Sequence, residues 1–168
     1  MKHILGLILV LAMVLAVGSA ALATPAAAGE QGQVVLFGDY NTWWPGFELG
    51  VGYAFTDSFT LGVLWEVSYS DVFGGFATLS FDPFVASVAV GFDSSGYYGG
   101  AKAFYNIDFA PLTLGLGLIV DFWSSHPPQA GVEVAASLAL GEQFKLFGSF
   151  AYRFDGFTSY DVGLSVAL

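Results

Sequence analysis

The chain has 168 residues, 55% of them hydrophobic, 17% aromatic and 11% charged, with a formal net charge of −10 and no cysteine. That length suits one domain, and the charge content is less than half the roughly one quarter usual for water-soluble domains, so much of the surface is not expected to face water. Lack of cysteine excludes disulfides, thiolate metal sites and a cysteine nucleophile, and the acidic balance excludes the basic footprint that nucleic-acid binding needs.

The N-terminus has the layout of an export signal. Lys2 and His3 precede an apolar run from Ile4 to Val17, and small residues follow. Ala21-Leu22-Ala23 and Ala26-Ala27-Ala28 both fit an A-x-A cleavage site. The apolar run falls short of the ~20 residues a spanning helix needs. Residues 1–28 are therefore expected to form a signal peptide cut after Ala28, leaving 29–168 as the folded domain.

Beyond it the pattern has period two. Phe47, Leu49, Val51, Tyr53 and Phe55 alternate with Glu48, Gly50, Gly52 and Ala54. The same alternation of large apolar with small or polar residues recurs over 59–69, 112–122, 131–140 and 160–168. In a soluble sheet the polar face would meet water, but here that face is mostly Gly, Ala and Ser. The inverted arrangement, with large residues towards lipid and small polar ones inside, is that of a membrane barrel. Segments near ten residues match a tilted strand across the hydrocarbon, and closure is required because lipid cannot satisfy a free sheet edge. The expected fold is all-β: a closed antiparallel transmembrane up-and-down β-barrel.

Ten strands are expected, near 33–40, 46–55, 58–69, 75–82, 84–93, 97–107, 111–122, 130–140, 143–154 and 158–168. Gly38 and Asp39 weaken the first and the fourth is short, so eight is the alternative. Tight turns at Thr56 to Ser58, Asp82-Pro83, Asp108 to Pro111 and Gly141 to Gln143 alternate with connections at Asn41 to Pro45, Ser70 to Gly74, Asp93 to Gly96, Ser124 to Gln129 and Asp155 to Ser159. With both termini periplasmic, the second set faces outward. Aromatics such as Tyr40, Phe55, Phe59, Phe92, Phe109, Phe144 and Phe154 fall at strand ends, where interfacial girdles form.

The stretch from Gly50 to Gly62, Gly-Val-Gly-Tyr-Ala-Phe-Thr-Asp-Ser-Phe-Thr-Leu-Gly, resembles the strand–turn–strand unit of small bacterial outer-membrane β-barrels of the outer-membrane protein A transmembrane-domain type. The last strand, Tyr160 to Leu168, resembles the C-terminal assembly signal of that class, with Leu168 in place of its usual Phe. The resemblance implies an outer-membrane location after export, and contact with outer-membrane lipid and the assembly machinery. It does not imply an activity.

The inward parity carries a charge network: Glu48, Glu66, Lys102, Asp121, Glu133, Lys145, Arg153 and Asp161. In a narrow lumen such charges are expected to pair, with an ion path as the alternative. Counting from the turn near Glu142 sets Glu133 level with residue 151 and makes Arg153 its nearest cation. The inward glycines either let the wall close on long side chains or leave a cavity. Arginine at outward Leu116 is expected to be costly, and serine at inward Gly117 milder. Trp43, Trp44, Tyr97, Tyr98 and Trp123 sit at the outer loops and could serve a binding surface. Ser124, Ser125 and His126 share one loop, but the prolines after His126 depart from the arrangement of barrel-borne lipid hydrolases. His126 is the one histidine past residue 28, which excludes a multi-histidine metal site. The expectation is a monomeric structural or passive envelope barrel, with a narrow pore, a surface binding module or a lipid-modifying enzyme as alternatives, and no catalysis, cofactor or nucleic-acid partner.

Overall fold

The computed structural model describes residues 29–41, 46–67, 71–94 and 96–168. The expected signal peptide at 1–28, together with Trp43 and Trp44, lies outside the described residues. Among them are ten strands: β1 (Val34–Asn41), β2 (Gly46–Thr56), β3 (Phe59–Val67), β4 (Val72–Phe81), β5 (Phe84–Asp93), β6 (Gly96–Phe109), β7 (Leu112–Trp123), β8 (His126–Ala139), β9 (Phe144–Arg153) and β10 (Thr158–Ala167). Each pairs antiparallel with its chain neighbour, and β1 closes the ring on β10, with Val35 opposite Ala167 and Asn41 opposite Asp161. The fold is thus a closed up-and-down barrel of ten strands, and the eight-strand alternative falls.

Both strands marked as weak are present. Asp39 does not interrupt β1, because its side chain sits on the inward parity of Val35 and Phe37 and is buried there. Strand β4 begins three residues earlier than expected, with Val72 opposite Glu66 and Phe73 opposite Trp65. Gly74 permits this: a Cβ there would lie 2.3 Å from the Val90 carbonyl oxygen, so only glycine allows that approach of β4 to β5.

Strand β8 also starts early. The expected loop over Ser124 to Gln129 shrinks to a turn at Ser124 and Ser125, and His126, Pro127 and Pro128 are already strand. Proline has no amide to give a ladder. The register of β7 on β8 shifts between Asp121 and Trp123, a bulge that accommodates the two prolines.

The faces separate cleanly. On the outward parity the ten strands carry no charged residue among the described ones. Leu49, Val63, Leu116, Leu118 and Val134 form an exposed aliphatic waist. Exposed Phe81, Phe84, Phe109 and Phe144 ring the end that holds the tight turns, Gly29 and Leu168, and Phe47, Phe73, Phe92 and Phe154 ring the far end.

Inside, Phe37, Leu64, Phe76, Ala89 and Phe147 form an apolar cluster across the waist. The Phe37 and Phe76 rings meet edge to face with centroids 5.3 Å apart. The inward glycines make room for these rings. A Cβ on Gly50 would stand 2.0 Å from Phe37 Cζ, one on Gly62 2.4 Å from Phe76 Cε1, and one on Gly163 2.4 Å from Phe147 Cζ. Of the two uses open to small inward residues, tight closure on long side chains is the one observed. Gly117 belongs to the same set, since its Cβ would lie 2.6 Å from Phe104 Cδ1 and 2.7 Å from the Ala103 carbonyl oxygen. We expect Gly117→Ser to cost about 1–3 kcal/mol as overpacking, read as a lower denaturant midpoint of the detergent-solubilised barrel. A midpoint equal to wild type would show that the Phe104 ring moves aside freely.

Candidate functional site

The barrel interior gathers the chemistry-bearing residues. Alternation along strands of one pleat turns every second residue inward, and nearly all the charges predicted for the lumen arrive there. Glu48, Glu66, Lys102, Asp121, Glu133, Arg153 and Asp161 are buried, each no more than 6% exposed. Lys145 is the exception. It has the inward parity but is the second residue of β9, so it stands exposed at the turn end.

Two ion-pair groups form. Lys102 Nζ lies 3.0 Å from Glu133 Oε2 and donates a hydrogen bond to Oε1 at 3.2 Å, and Asp161 Oδ2 is 3.9 Å away. The Ser149 hydroxyl donates to Asp161 Oδ2 at 3.0 Å. Arg153 donates to Asp121 Oδ2 through Nε at 2.6 Å and stands 2.5 Å from it at Nη2, while Nη1 reaches the Ser159 hydroxyl.

The expected Glu133–Arg153 pair is therefore corrected. Glu133 does stand level with Ala151, but its cation is Lys102, and Arg153 turns to Asp121. Both pairs step across an intervening strand. Gly117 of β7 is directly opposite Glu133, and Gly131 of β8 directly opposite Arg153. With no side chain at either position, long chains two strands apart meet across the curved wall. Counting along one hairpin misses contacts of that kind.

One further residue differs from its sequence assignment. Tyr98, expected at the outer loops, shares the inward parity of Lys102 and Phe104, because β6 already begins at Gly96. Its hydroxyl donates to Glu66 Oε2 at 2.5 Å, and its ring packs on the apolar cluster. Tyr97 is exposed on the outside as expected, and half-buried Trp123 meets the His126 ring edge to face at 6.4 Å. Ser125 Oγ lies 2.8 Å from His126 Nδ1 at an exposed position.

Sequence reasoning missed one lumen acid, Asp39, which is 4% exposed. It lies directly opposite Glu48, and Glu48 directly opposite Glu66. Three carboxylates thus stand in register on adjacent strands. The signal was available in the Val35, Phe37, Asp39 spacing, but the neighbouring Gly38 made the segment read as a break. The inward rings of Phe37, Phe76, Phe104 and Phe147 were missed too, and their mark is a glycine on the facing strand.

No protein-family model matches the chain, and no curated protein matches it. Solved structures do. An engineered triple mutant of the Rhodopseudomonas blastica porin is 17% identical, with 73% of this chain and 44% of that one covered and a TM-score of 0.41. Another mutant of the same porin, altered at three positions, is 15% identical over 90% of this chain and 62% of that one, with a TM-score of 0.44. A structure described as "Asymmetric conductivity of engineered proteins" is 14% identical over 90% and 62%, with a TM-score of 0.42. The chain thus spans about half the length of the porin structures it resembles.

Proposed function

We propose that this protein is a small bacterial outer-membrane β-barrel with a closed lumen and a structural, non-catalytic role in the envelope. The observation that carries the proposal is the outward face: ten strands with no charged side chain among the described residues, and an aliphatic waist between two rings of exposed phenylalanines. Water would penalise so much exposed apolar surface. A bilayer instead matches the aliphatic band with its hydrocarbon and the aromatic rings with its interfaces. Ordering of the tight turns on the periplasmic side, export by the segment 1–28, folding by the outer-membrane assembly machinery and a monomeric state belong to the same proposal.

The interior supports a closed rather than a conducting barrel. The Phe37–Phe76–Phe147 cluster fills the waist, and the cations beyond it are held in ion pairs. An outer binding surface loses Tyr98 to the lumen.

We expect the mature chain to fractionate with outer membranes, to migrate heat-modifiably on gels and to give no steady conductance in planar bilayers. Leu116→Arg, at an outward position in the waist that is 53% exposed, should cost ~2–4 kcal/mol if it lies near the bilayer midplane. Unfolding in lipid vesicles measures this. Recovery as a soluble monomer without detergent, or a Leu116→Arg barrel as stable as wild type, would reject the membrane reading.

A further inference from the structure

The chain does not run straight out of the barrel at the start of β1. On the N-terminal side of Val34 the ladder with β2 continues for two hydrogen bonds, Ala54 N to the Gln33 carbonyl at 2.9 Å and Gly32 N to the Ala54 carbonyl at 2.8 Å. The backbone then reverses. Gln33 N donates to the Glu30 carbonyl at 3.0 Å, and Gly32 holds a φ of 88°, a left-handed conformation that suits glycine. The reversal carries Gly29 back over the mouth of the barrel. A Cβ there would lie 2.7 Å from Val35 Cγ2 and 3.5 Å from Ala54 Cβ, and both of those side chains are buried in the lumen. Gln31 N donates to Asp57 Oδ1 at 2.8 Å, which ties the reversal to the tight turn between β2 and β3.

One side of this mouth is covered and the other is not. Ala54 of β2 and Ala139 of β8 both hold inward positions near the tight turns, yet Ala54 is fully buried and Ala139 half-buried. Thr60 and Lys145 are each the second residue of a strand that leaves a tight turn; Thr60 is buried and Lys145 exposed. Beneath the covered side lies a row of hydroxyls. Thr60 stands opposite Thr78, Thr78 opposite Ser87 and Ser87 opposite Lys102, and all four are buried. The Thr78 hydroxyl has no hydrogen-bond partner among the described residues. A buried polar group in that position is costly unless water reaches it.

We propose that residues 29–33 form a lid on the turn-end mouth, and that its opening admits water and small solutes to the hydroxyl row without unpairing any strand. Glu30, Gln31 and Gly32 are exposed, so water competes for the hydrogen bonds that hold them. The two side-chain ties, Gln31 N to Asp57 Oδ1 and Glu30 N to Gln33 Oε1, both lie at exposed positions. The residues of β1 that pair with β2 and β10 run from 34 to 41, so the lid contributes to neither seam. Solvated hydrogen bonds and few buried contacts mark segments that open locally. Thr78 and Ser87 each stand one inward position nearer the turn end than Phe76 and Ala89 of the waist. An open lid therefore exposes a chamber and leaves the apolar seal shut. The lid rests on the fold alone and holds whichever membrane surrounds the barrel.

The chain has no cysteine, so a single introduced one reports access without background. Thr60→Cys, or Ala54→Cys if that variant does not fold, is purified as the folded barrel in zwitterionic detergent, and its reaction with a small charged methanethiosulfonate is timed. Two lid changes are then added in turn. Gly32→Val strains the left-handed residue, whose Cβ would meet nothing within 4 Å, and Asp57→Ala removes a side-chain tie. Both should speed the labelling of Thr60→Cys, Gly32→Val by about tenfold or more, because the rate follows the open population and a side chain disfavours the left-handed conformation of the closed form. Ser137→Cys, on the uncovered side, should label fast in every background, and Ala89→Cys, in the waist, slowly. The denaturant midpoint should stay at the parent value. Equal rates at Thr60→Cys with and without the lid changes overturn the proposal, as does a parent Thr60→Cys that reacts as fast as Ser137→Cys. A fall in the midpoint with faster labelling of Ala89→Cys also overturns it, since the segment would then hold the barrel together and not open by itself.

Discussion

Lys102→Ala is expected to destabilise the barrel by about 3–5 kcal/mol, the cost of leaving a buried charge without its partner. Lys102 holds two carboxylates, Glu133 at 3.0 Å and Asp161 at 3.9 Å, with all three side chains at most 4% exposed. Removing the ammonium strands both acids in an interior that already has a surplus of them. The double variant with Glu133→Ala should lose less than the sum of the two single losses, because the second change removes one of the stranded charges. Arg153→Ala combined with Glu133→Ala should be close to additive, since Arg153 bonds Asp121 and Ser159 instead. Denaturant unfolding in detergent, followed by tryptophan fluorescence, measures all three. A Lys102→Ala loss under about 1 kcal/mol would mean that water reaches and screens the pair, as at exposed ion pairs.

Phe76→Ala should cost a similar amount, about 3–5 kcal/mol, through lost burial and the cavity left behind. Phe76 is 2% exposed, meets Phe37 edge to face and fits against Gly62 and Gly52. Backbone closure around the ring holds the wall at that width, so the wall cannot collapse to fill the gap. The same variant should also raise planar-bilayer conductance above the wild-type baseline, because it opens the apolar seal at the waist. Loss of stability without conductance would place the seal elsewhere in the lumen. Absence of both effects would show that Phe76 does not support the waist.

Much of this was legible along the chain. Strict period two over 47–55 and 59–67 marks which side chains share a face, since a strand has no other way to place them. Strand ends fell where Asp57, Asp82 and Gly141 break the alternation. The inward charges other than Lys145 followed from parity, and the level of Glu133 with Ala151 from counting outward from the turn near Glu142. Errors arose where a local signal met a nonlocal contact. Gly38 and Gly74 looked like breaks because glycine has low strand preference, yet the facing strand makes use of their missing side chains. Pro127 and Pro128 looked like a loop because what seats them is a bulge in the pairing with β7, two residues of β8 against Phe122. Lys145 looked like a lumen charge because parity says nothing of height in the barrel.

Face assignment and the acidic, charge-poor character of the wall are properties of the sequence itself, since they depend on spacing within one strand and on composition. Who pairs with whom across the lumen was decided only by the tertiary structure. Ring closure brings Lys102 of β6 to Glu133 of β8 and to Asp161 of β10, and Arg153 of β9 to Asp121 of β7. It also turns scattered phenylalanines and glycines into one packed waist. These contacts depend on the curvature and stagger of a closed sheet, which bring together residues distant in sequence, and no periodicity within a single strand encodes them.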